Sequence, residues 1–485
     1  PGVPMASFEV FTIADMDPIT PLMRIVDISL DETQTITLHD NSQATVKLLA
    51  VHETRDSARQ AIRQASVDIE LNGESATLQV AGYHLPVQMG KVQIDCPAIS
   101  GFAIRATRDW WQIKKDARFR LWPANGPLTA EGSLAYPVKR RWFSDKFQAC
   151  SDPCYVNGEP TDPEAGIYYH AGFDIGGSEG QVEVFAATDG VVVSSGDTAL
   201  NEGEVPVRYD VVYVMDARGW YYRYSHLSSI DEAITVGTHI EQGQRIGVLG
   251  KEGGSGGWSH LHFGITGKQP SGERGEIDAY ALLWEAYQKE YGIALQAVGG
   301  PHLYAPVGQT VTLDASRSWS IKGPSHITTY RWLLTNGSNV ESATVEHSYY
   351  RPGMYSELFS ITDADGQTSW GRTTVLIVKN DDSAYKAPGI HATYHPTLDL
   401  KAGQEITFKV RTFQVAGQRS GETWDFGDGS DPVTVHSDGN ANQHAPDGYA
   451  VTAHRFEKAG TYFVTVTRET EGGELLQERM ALEIS

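Results

Sequence analysis

The sequence predicts a mainly β protein that is divided into several domains. Its 485 residues correspond to about three or four domains of ordinary size. Short runs rich in Val, Ile, Thr and Tyr alternate along the chain with turns rich in Gly, Asn and Asp, which is the pattern of strands and their connections. Only one stretch, near the middle, has clear helical spacing. We therefore expect a series of β-rich domains with little helix.

Residues 7–145 are predicted to form an N-terminal β-sandwich-like domain. Two alternating runs flank Asn72-Gly73, a dipeptide that accepts the positive φ angles of a tight hairpin turn. A hairpin is therefore expected from Val67 to Val80. Further strands are expected at Thr35–Leu38, Ala44–Val51 and Ala117–Trp122.

Residues 146–295 are predicted to form a second β domain that ends in a helix. Asp278 is the expected N-cap of this helix and Gly292 its expected stop. One apolar stripe follows helical spacing and consists of Tyr280, Leu283, Trp284, Tyr287 and Tyr291. We expect this stripe to pack in the core.

The remaining residues contain a weak internal repeat. His347-Ser-Tyr followed by Gly353-Met-Tyr355 is echoed by His454-Arg-Phe followed by Gly460-Thr-Tyr462. Each copy has a tryptophan on a central strand, Trp332 or Trp424. Short strands, regular turns and a central tryptophan are typical of immunoglobulin-like β-sandwiches. Two such domains are predicted at 296–380 and 384–485, with the polar residues 380–383 as their linker.

The net charge of −22 makes nucleic acid and anionic membranes unfavourable partners, because the protein repels their phosphates. A local basic patch could still contact a polyanionic glycan. No run approaches the roughly 20 apolar residues of a membrane helix, so no membrane span is expected. The sequence begins at Pro1 rather than Met and has no basic, apolar leader, so we expect a processed, truncated or tagged chain from which an export signal could have been removed.

The three cysteines, Cys96, Cys150 and Cys154, are too few for a disulfide framework. Cys150 and Cys154 could close one small bridge or remain free thiols. The preferred interpretation is one bridge between them and one buried thiol at Cys96.

The residues that indicate chemistry lie in three segments: His170-Ala-Gly-Phe-Asp174, Tyr224-Ser-His226 and Ser259-His260-Leu-His262. On strands, side chains at even spacing share one face, so each segment can direct its polar side chains into one groove. Histidine and aspartate are zinc ligands, and three protein ligands leave one position open for water. Gly172 would allow a close approach of the backbone.

The segment from His170 to Ile265 resembles the lysostaphin-type (LytM-like, glycyl-glycine) zinc metalloendopeptidases. The resemblance depends on His170-x-Gly-x-Asp174, Tyr224-x-His226-Leu227 and Ser259-His260-Leu261-His262-Phe263, in that order. It implies that His170, Asp174 and His262 bind Zn²⁺. It further implies that His226 and His260 are catalytic, with His260 as the base and His226 as the stabiliser of the oxyanion. Tyr224 would either add a hydrogen bond to that oxyanion or pack in the core.

The chain departs from this family at the rim of the expected groove. Lys251-Glu-Gly-Gly-Ser-Gly-Gly-Trp258 forms an unusual glycine-rich lead into His260, and residues 197–209 have the character of an insertion. These differences leave the metal ligands in place and put the substrate preference in doubt.

A second resemblance covers the C-terminal part of the chain. Trp424-Asp-Phe-Gly-Asp-Gly429 is similar to the signature of PKD-type immunoglobulin-like repeats, and Trp332-Leu-Leu-Thr-Asn-Gly337 is a weaker copy. In extracellular enzymes, modules of this type usually act as spacers or contact glycans.

Three hypotheses follow. The first is a secreted or envelope-associated zinc endopeptidase that hydrolyses peptide bonds, with bacterial cell-wall cross-bridges as the expected substrate. The second is a polysaccharide lyase that uses the same zinc and histidine site on a uronate-containing polysaccharide. The third is a non-catalytic scaffold, which the retention of all five site residues argues against.

Overall fold

The computed structural model describes residues 16–57, 60–104, 108–154, 167–200, 205–379 and 387–485. The predicted start of the first domain at residue 7 and the predicted linker at 380–383 therefore lie outside the described residues. None of the helices in these ranges combines the length and the apolar character needed to cross a membrane. Strands dominate the described chain, so the predicted mainly β fold is confirmed.

The N-terminal domain is a β-sandwich of two sheets, ordered β1-β8-β7-β6 and β2-β3-β4-β5. Asn72 and Gly73 join β4 to β5 with φ angles of 52° and 89°, as the hairpin prediction requires. The elements are β1 (Arg24–Ile28), β2 (Thr33–Thr37), β3 (Gln43–Arg55), β4 (Ile62–Leu71), β5 (Glu74–Gln79), β6 (Val87–Met89), β7 (Val92–Ile99), the helical turn α1 (Gly101–Ile104) and β8 (Ala117–Pro123).

The central domain is built on a long antiparallel sheet ordered β15-β14-β16-β17-β21-β12-β9, with a smaller sheet β13-β20-β18. Its elements are β9 (Phe147–Gln148), β10 (Pro153–Cys154), β11 (Tyr168–Tyr169), β12 (Phe173–Gly176), β13 (Glu183–Phe185), β14 (Gly190–Ser195), β15 (Thr198–Ala199), β16 (Val212–Met215), β17 (Tyr221–Ser225), β18 (Leu227–Ile230), β19 (His239–Ile240), β20 (Arg245–Leu249), β21 (His260–Lys268), β22 (Arg274–Glu276), α2 (Tyr280–Tyr291) and β23 (Leu295–Gln296).

Helix α2 has the predicted extent and buries the predicted stripe, in which only Tyr291 is partly buried. Gly292 ends the helix with a left-handed φ of 61°, as expected. The N-cap position is Ala279, one residue later than predicted. Asp278 still contributes, because its Oδ1 accepts a hydrogen bond from the Tyr280 amide at 2.8 Å.

The two C-terminal domains are β-sandwiches whose central tryptophans, Trp332 and Trp424, are completely buried. The third domain contains β24 (Leu303–Pro306), β25 (Thr310–Asp314), β26 (Trp319–Ser320), β27 (Ile327–Leu333), β28 (Asn339–Glu341), β29 (Thr344–Ser348), β30 (Gly353–Asp363) and β31 (Thr368–Val378). The fourth contains β32 (Gly389–His395), β33 (Glu405–Phe413), β34 (Glu422–Asp425), β35 (Val433–Val435), β36 (Ala450–Arg455), β37 (Gly460–Glu469) and β38 (Leu475–Ile484). Strands β30 and β38 pair in parallel and join sheets of the two domains.

The cysteines correct one expectation, because all three are free thiols and the preferred Cys150–Cys154 bridge is wrong. Cys150 is buried in the core of the N-terminal domain, whereas Cys154 lies on β10 and lines a groove of the central domain. The two side chains therefore occupy different environments. Cys150 also shows that the N-terminal core includes residues beyond position 145.

The third domain contacts the central domain through His302, whose Nε2 lies 2.6 Å from the carbonyl oxygen of Phe147. Burial lowers the pKa of His302 to about 3, and the charge of Lys146 adds to this effect. The imidazole is therefore neutral at this interface near pH 7.

We expect the His302→Gln variant to lose part of the acid sensitivity of the wild type. The pKa of His302 in the folded protein lies below its unfolded value of 6.5. The free energy of unfolding is therefore at its full value above pH 6.5 as far as this group is concerned, and it decreases as pH falls from 6.5 towards 3. Within that window one such group changes the free energy of unfolding by about 1.4 kcal/mol per pH unit. Urea unfolding at pH 5 and pH 6 measures this slope. The His436→Gln variant, at an exposed position, should retain the wild-type slope, and an unchanged slope in His302→Gln would contradict the assignment.

Candidate active site

Strand register brings the predicted polar side chains to one face of the central sheet. β12 and β21 are antiparallel, with Asp174 opposite His262 and Gly176 opposite His260. Directly paired residues project to the same side of a sheet, and alternate residues of one strand do so as well. Asp174, His260 and His262 therefore emerge together, and His170 reaches them from the segment just before β12.

Three ligand atoms converge at this point. His170 Nε2 lies 3.1 Å from Asp174 Oδ1 and 3.2 Å from His262 Nδ1. His262 Nδ1 lies 2.8 Å from the same carboxylate oxygen. The three residues form a buried group that could hold a metal ion.

The donor set and its spacing fit a tetrahedrally bound divalent ion such as zinc. Metal–ligand bonds of about 2.0–2.1 Å give a tetrahedron with edges of roughly 3.3–3.4 Å, close to the observed separations. His170 Nδ1 lies 3.2 Å from the Ala149 carbonyl oxygen, and a proton donated there leaves Nε2 free as a ligand. Gly172 has a φ of 88°, and a Cβ at this position would lie 2.8 Å from His262 Nε2. Only glycine therefore allows the close approach that the sequence indicated.

The charges in this cluster are set by burial and by the carboxylate. Burial raises the pKa of Asp174, but the charges of His170 and His260 outweigh it and hold that pKa well below its usual range. Burial lowers the pKa of His262 well below its ordinary value and that of His260 to about 3. Asp174 is therefore ionised and both of these imidazoles are neutral near pH 7, the forms that bind a metal ion or accept a proton.

His226 reaches the same groove from the turn between β17 and β18. Its φ is 68°, a conformation that costs a residue other than glycine free energy. The buried carboxylate of Asp210 compensates by accepting the His226 amide at 3.0 Å. The ring is oriented by Nδ1, which lies 2.6 Å from the Glu252 carbonyl oxygen. The centroids of the His226 and His260 rings lie 4.6 Å apart.

His260 is held by the residue two positions before it. The Trp258 indole stacks on the His260 ring with centroids 3.9 Å apart and an angle of 17°. His260 Nδ1 lies 3.0 Å from the Trp258 carbonyl oxygen, and a proton donated there leaves Nε2 able to accept one.

Tyr224 is positioned differently from the other predicted residues. It is completely buried, its hydroxyl oxygen accepts the Ala187 amide at 2.7 Å, and its ring packs against Phe263. Alternation along β17 directs Arg223 and Ser225 to the groove and Tyr224 to the core. The geometry therefore gives Tyr224 a packing role.

The site opens into a groove with a volume of about 900 Å³. Three domains contribute to its walls. The lining residues are Trp110 from the N-terminal domain, Gln148, Cys154, Tyr168, His170, Asp174, Arg208, Arg223, His226, Gly254, Ser255, Gly256, Trp258, His260 and His262 from the central domain, and Phe413, Gln414, Asn440 and Gln443 from the fourth domain.

The sequence interpretation missed three residues that line the groove or position its histidines: Arg223, Asp210 and Trp258. Alternation on β17 could have indicated Arg223, since it stands two residues from Ser225, which pairs with His262. Trp258 stands two residues before His260 and could have been noticed as its neighbour. Asp210 gave no local signal, because it acts on a residue sixteen positions away.

Comparison with known proteins agrees with both resemblances. Residues 168–273 match the model of Peptidase family M23. Residues 296–378 and 391–479 each match a PKD domain model. The chain thus carries an M23-type peptidase domain followed by two PKD domains, and the third and fourth domains are these PKD domains.

Similarities to solved structures are local. The PKD1 domain of the Vibrio cholerae metalloprotease PrtV is 26% identical, with 18% of this chain and 98% of that chain covered and a TM-score of 0.15. Helicobacter pylori Csd3 is 13% identical, with coverages of 54% and 82% and a TM-score of 0.22. Fibronectin(III)-like modules of Clostridium thermocellum CbhA are 11% identical, with coverages of 38% and 90% and a TM-score of 0.15. These scores are too low to carry an argument about this chain.

We expect the Asp174→Asn variant to lose metal binding, because it removes the only anionic donor of the three. Titration of the chelator-stripped protein with Zn²⁺ should show an affinity lower by more than about 100-fold. The matched control is Asp365→Asn, in a second group formed by His326, Asp363 and Asp365. There Lys322 Nζ already pairs with Asp365 at 2.5 Å, so this control should bind as the wild type does. If Asp365→Asn lost zinc affinity and Asp174→Asn did not, the metal site would instead lie in the third domain.

Proposed function

We propose that the protein is a zinc-dependent endopeptidase that hydrolyses peptide bonds, with bacterial cell-wall cross-bridges as its substrate. The observation that carries the proposal is the convergence of His170, Asp174 and His262 beside His226 and His260, in a domain that matches a peptidase family. PKD domains are typical of extracellular proteins, and we propose that this enzyme acts outside the cell or in its envelope.

His170, Asp174 and His262 would hold the ion through the three atoms that already converge. When bound, zinc polarises a carbonyl oxygen and lowers the pKa of water.

His260 is proposed as the general base. Its Nε2 faces the cluster at 3.4 Å from Asp174 Oδ2, and its neutral form accepts a proton from the attacking water. A positioned base of this kind contributes about 10²–10⁴-fold to a rate.

His226 is proposed to stabilise the developing oxyanion through a proton on Nε2, while His260 passes the proton that it took from the water to the leaving amine. His226 Nδ1 is fixed by the Glu252 carbonyl, so Nε2 remains available for the substrate. Arg223, which is half-buried in the groove wall, offers a guanidinium for a substrate carboxylate.

The peptidase match argues for hydrolysis, and no comparable observation supports the polysaccharide lyase, which we do not propose. A direct experiment separates the two reactions. Full-length zinc-loaded protein is incubated with peptidoglycan, glycine peptides and a panel of uronate polysaccharides. New amino groups report peptide hydrolysis, whereas absorbance of unsaturated uronates reports a lyase.

We expect hydrolysis of peptide substrates by the wild type and a fall in kcat of about 10²–10⁴-fold in His260→Ala. Zinc content should remain that of the wild type, since His260 is outside the ligand group. His239→Ala is the control in the same domain, because His239 is exposed and does not line the groove. If the zinc-loaded wild type releases no amines from any peptide substrate, the proposed function is wrong.

A further inference from the structure

The glycine-rich residues 251–259 form the loop that leads into β21, and one of its glycines abuts another domain. Gly253, Gly256 and Gly257 have φ angles of 60°, 70° and 88°, which favour glycine. A Cβ on Gly257 would overlap the side-chain oxygen of Asn440 in the fourth domain. The loop therefore follows a path that leaves room for that domain.

Three hydrogen bonds connect the fourth domain to the backbone of this loop. Asn440 Nδ2 donates to the Gly256 carbonyl oxygen at 3.1 Å, and Arg411 Nη1 donates to the Gly257 carbonyl oxygen at 2.6 Å. The Ser259 amide donates to the Tyr449 hydroxyl oxygen at 2.8 Å. Side chains of one domain thus satisfy backbone groups of the other immediately before His260.

The Arg411 guanidinium is a fixed donor. It is completely buried and forms a bidentate pair with Asp438 at 2.8 and 2.7 Å. It also donates to the Asn442 carbonyl oxygen at 2.7 Å. A buried guanidinium with its charge paired and its donors occupied has little freedom to move.

Tyr449 also contacts His391, and His391 in turn contacts Trp258 of the loop. The Tyr449 hydroxyl lies 2.7 Å from His391 Nδ1. Burial lowers the pKa of His391 well below its ordinary value, so the ring is neutral and Nδ1 is able to accept a hydrogen bond from the hydroxyl, whose oxygen accepts the Ser259 amide. The His391 ring and the Trp258 indole form a T-shaped contact, with centroids 5.3 Å apart at 77°. Trp258 in turn stacks on His260.

The same domain also forms one wall of the groove. Phe413, Gln414, Asn440 and Gln443 line the groove that Trp110 and Tyr168 also line. Amide side chains are suited to hydrogen bonding with a peptide backbone.

We propose that the fourth domain contributes to the peptidase site. Arg411 and Tyr449 are positioning residues that fix the conformation of loop 251–259. Because Trp258 belongs to this loop and stacks on His260, they also fix the orientation of His260. The expected effect of these residues on catalysis rests on the proposed function. A substrate chain then passes between the peptidase domain and a PKD domain, which departs from the role of a spacer that the sequence suggested.

The test uses the full-length protein with Tyr449→Phe, which keeps the ring and removes the hydroxyl. The matched control is Tyr462→Phe in the same domain, whose hydroxyl donates to the Lys458 carbonyl oxygen at 2.9 Å and does not contact the peptidase domain. Both variants are compared with the wild type in kcat, KM, zinc content and thermal unfolding. Hydrogen exchange of the Ser259 amide is followed by NMR.

For Tyr449→Phe we expect kcat to fall about tenfold with KM changed less than about twofold, since one hydrogen bond that orients the base is lost. The Ser259 amide should exchange about tenfold faster, while zinc content stays constant. Tyr462→Phe should match the wild type in every measurement.

Unchanged exchange at Ser259, or unchanged kcat in an active enzyme, would overturn the proposal, as would an equal loss of kcat in Tyr462→Phe. The exchange measurement does not depend on activity. If the wild type hydrolyses no peptide, the proposed function fails, yet faster exchange in Tyr449→Phe alone still supports the positioning of the loop.

Discussion

The antiparallel register between β12 and β21 is the constraint on which the whole site depends. It places Asp174 opposite His262, and the two-residue repeat of each strand then fixes where His260 emerges. A slip of one residue would turn these side chains into the core. The register is maintained from the other face, where Phe173, Ile175, Leu261 and Phe263 are completely buried.

The same register creates an electrostatic problem that the surrounding residues solve. A buried carboxylate without partners is costly, and Asp174 is surrounded by three imidazoles at 2.8 to 3.4 Å. Two of these rings also contact the backbone through the nitrogen that faces away from Asp174. Nδ1 of His170 contacts the Ala149 carbonyl oxygen, and Nδ1 of His260 contacts the Trp258 carbonyl oxygen. The backbone thus fixes each ring so that its other nitrogen faces the cluster, which prepares the site for a cation.

Local pattern was sufficient for the parts of the structure that depend on neighbouring residues. The Asn72-Gly73 hairpin, helix α2 and the two buried tryptophans were predictable from spacing and turn chemistry, whereas the grouping of His170, Asp174 and His262 was implied by the resemblance to a known family. The orientation of Tyr224 was not accessible from spacing, because even spacing groups it with His226, and only the fold shows that His226 leaves β17 at a turn with a φ of 68° while Tyr224 faces the core. The cysteines were less predictable, since only the fold shows that Cys150 faces one core and Cys154 the groove. Contacts such as that between Arg411 and Gly257, 154 residues apart, leave no local trace except an unexplained run of glycines.

The parallel pairing of β30 with β38 gives the carboxyl-terminal strand an influence beyond its own domain. Residues 475–484 hydrogen-bond along β37 and touch β30 at Gly353 and Met354, so they bind the edge of one sandwich to the next. Cleavage within this strand would leave β37 paired, among the described strands, only with β34 and would remove the strand pairing between the third and fourth domains. Damage more than 200 positions away in sequence from His226 and His260 would in this way reach a wall of the groove that they line.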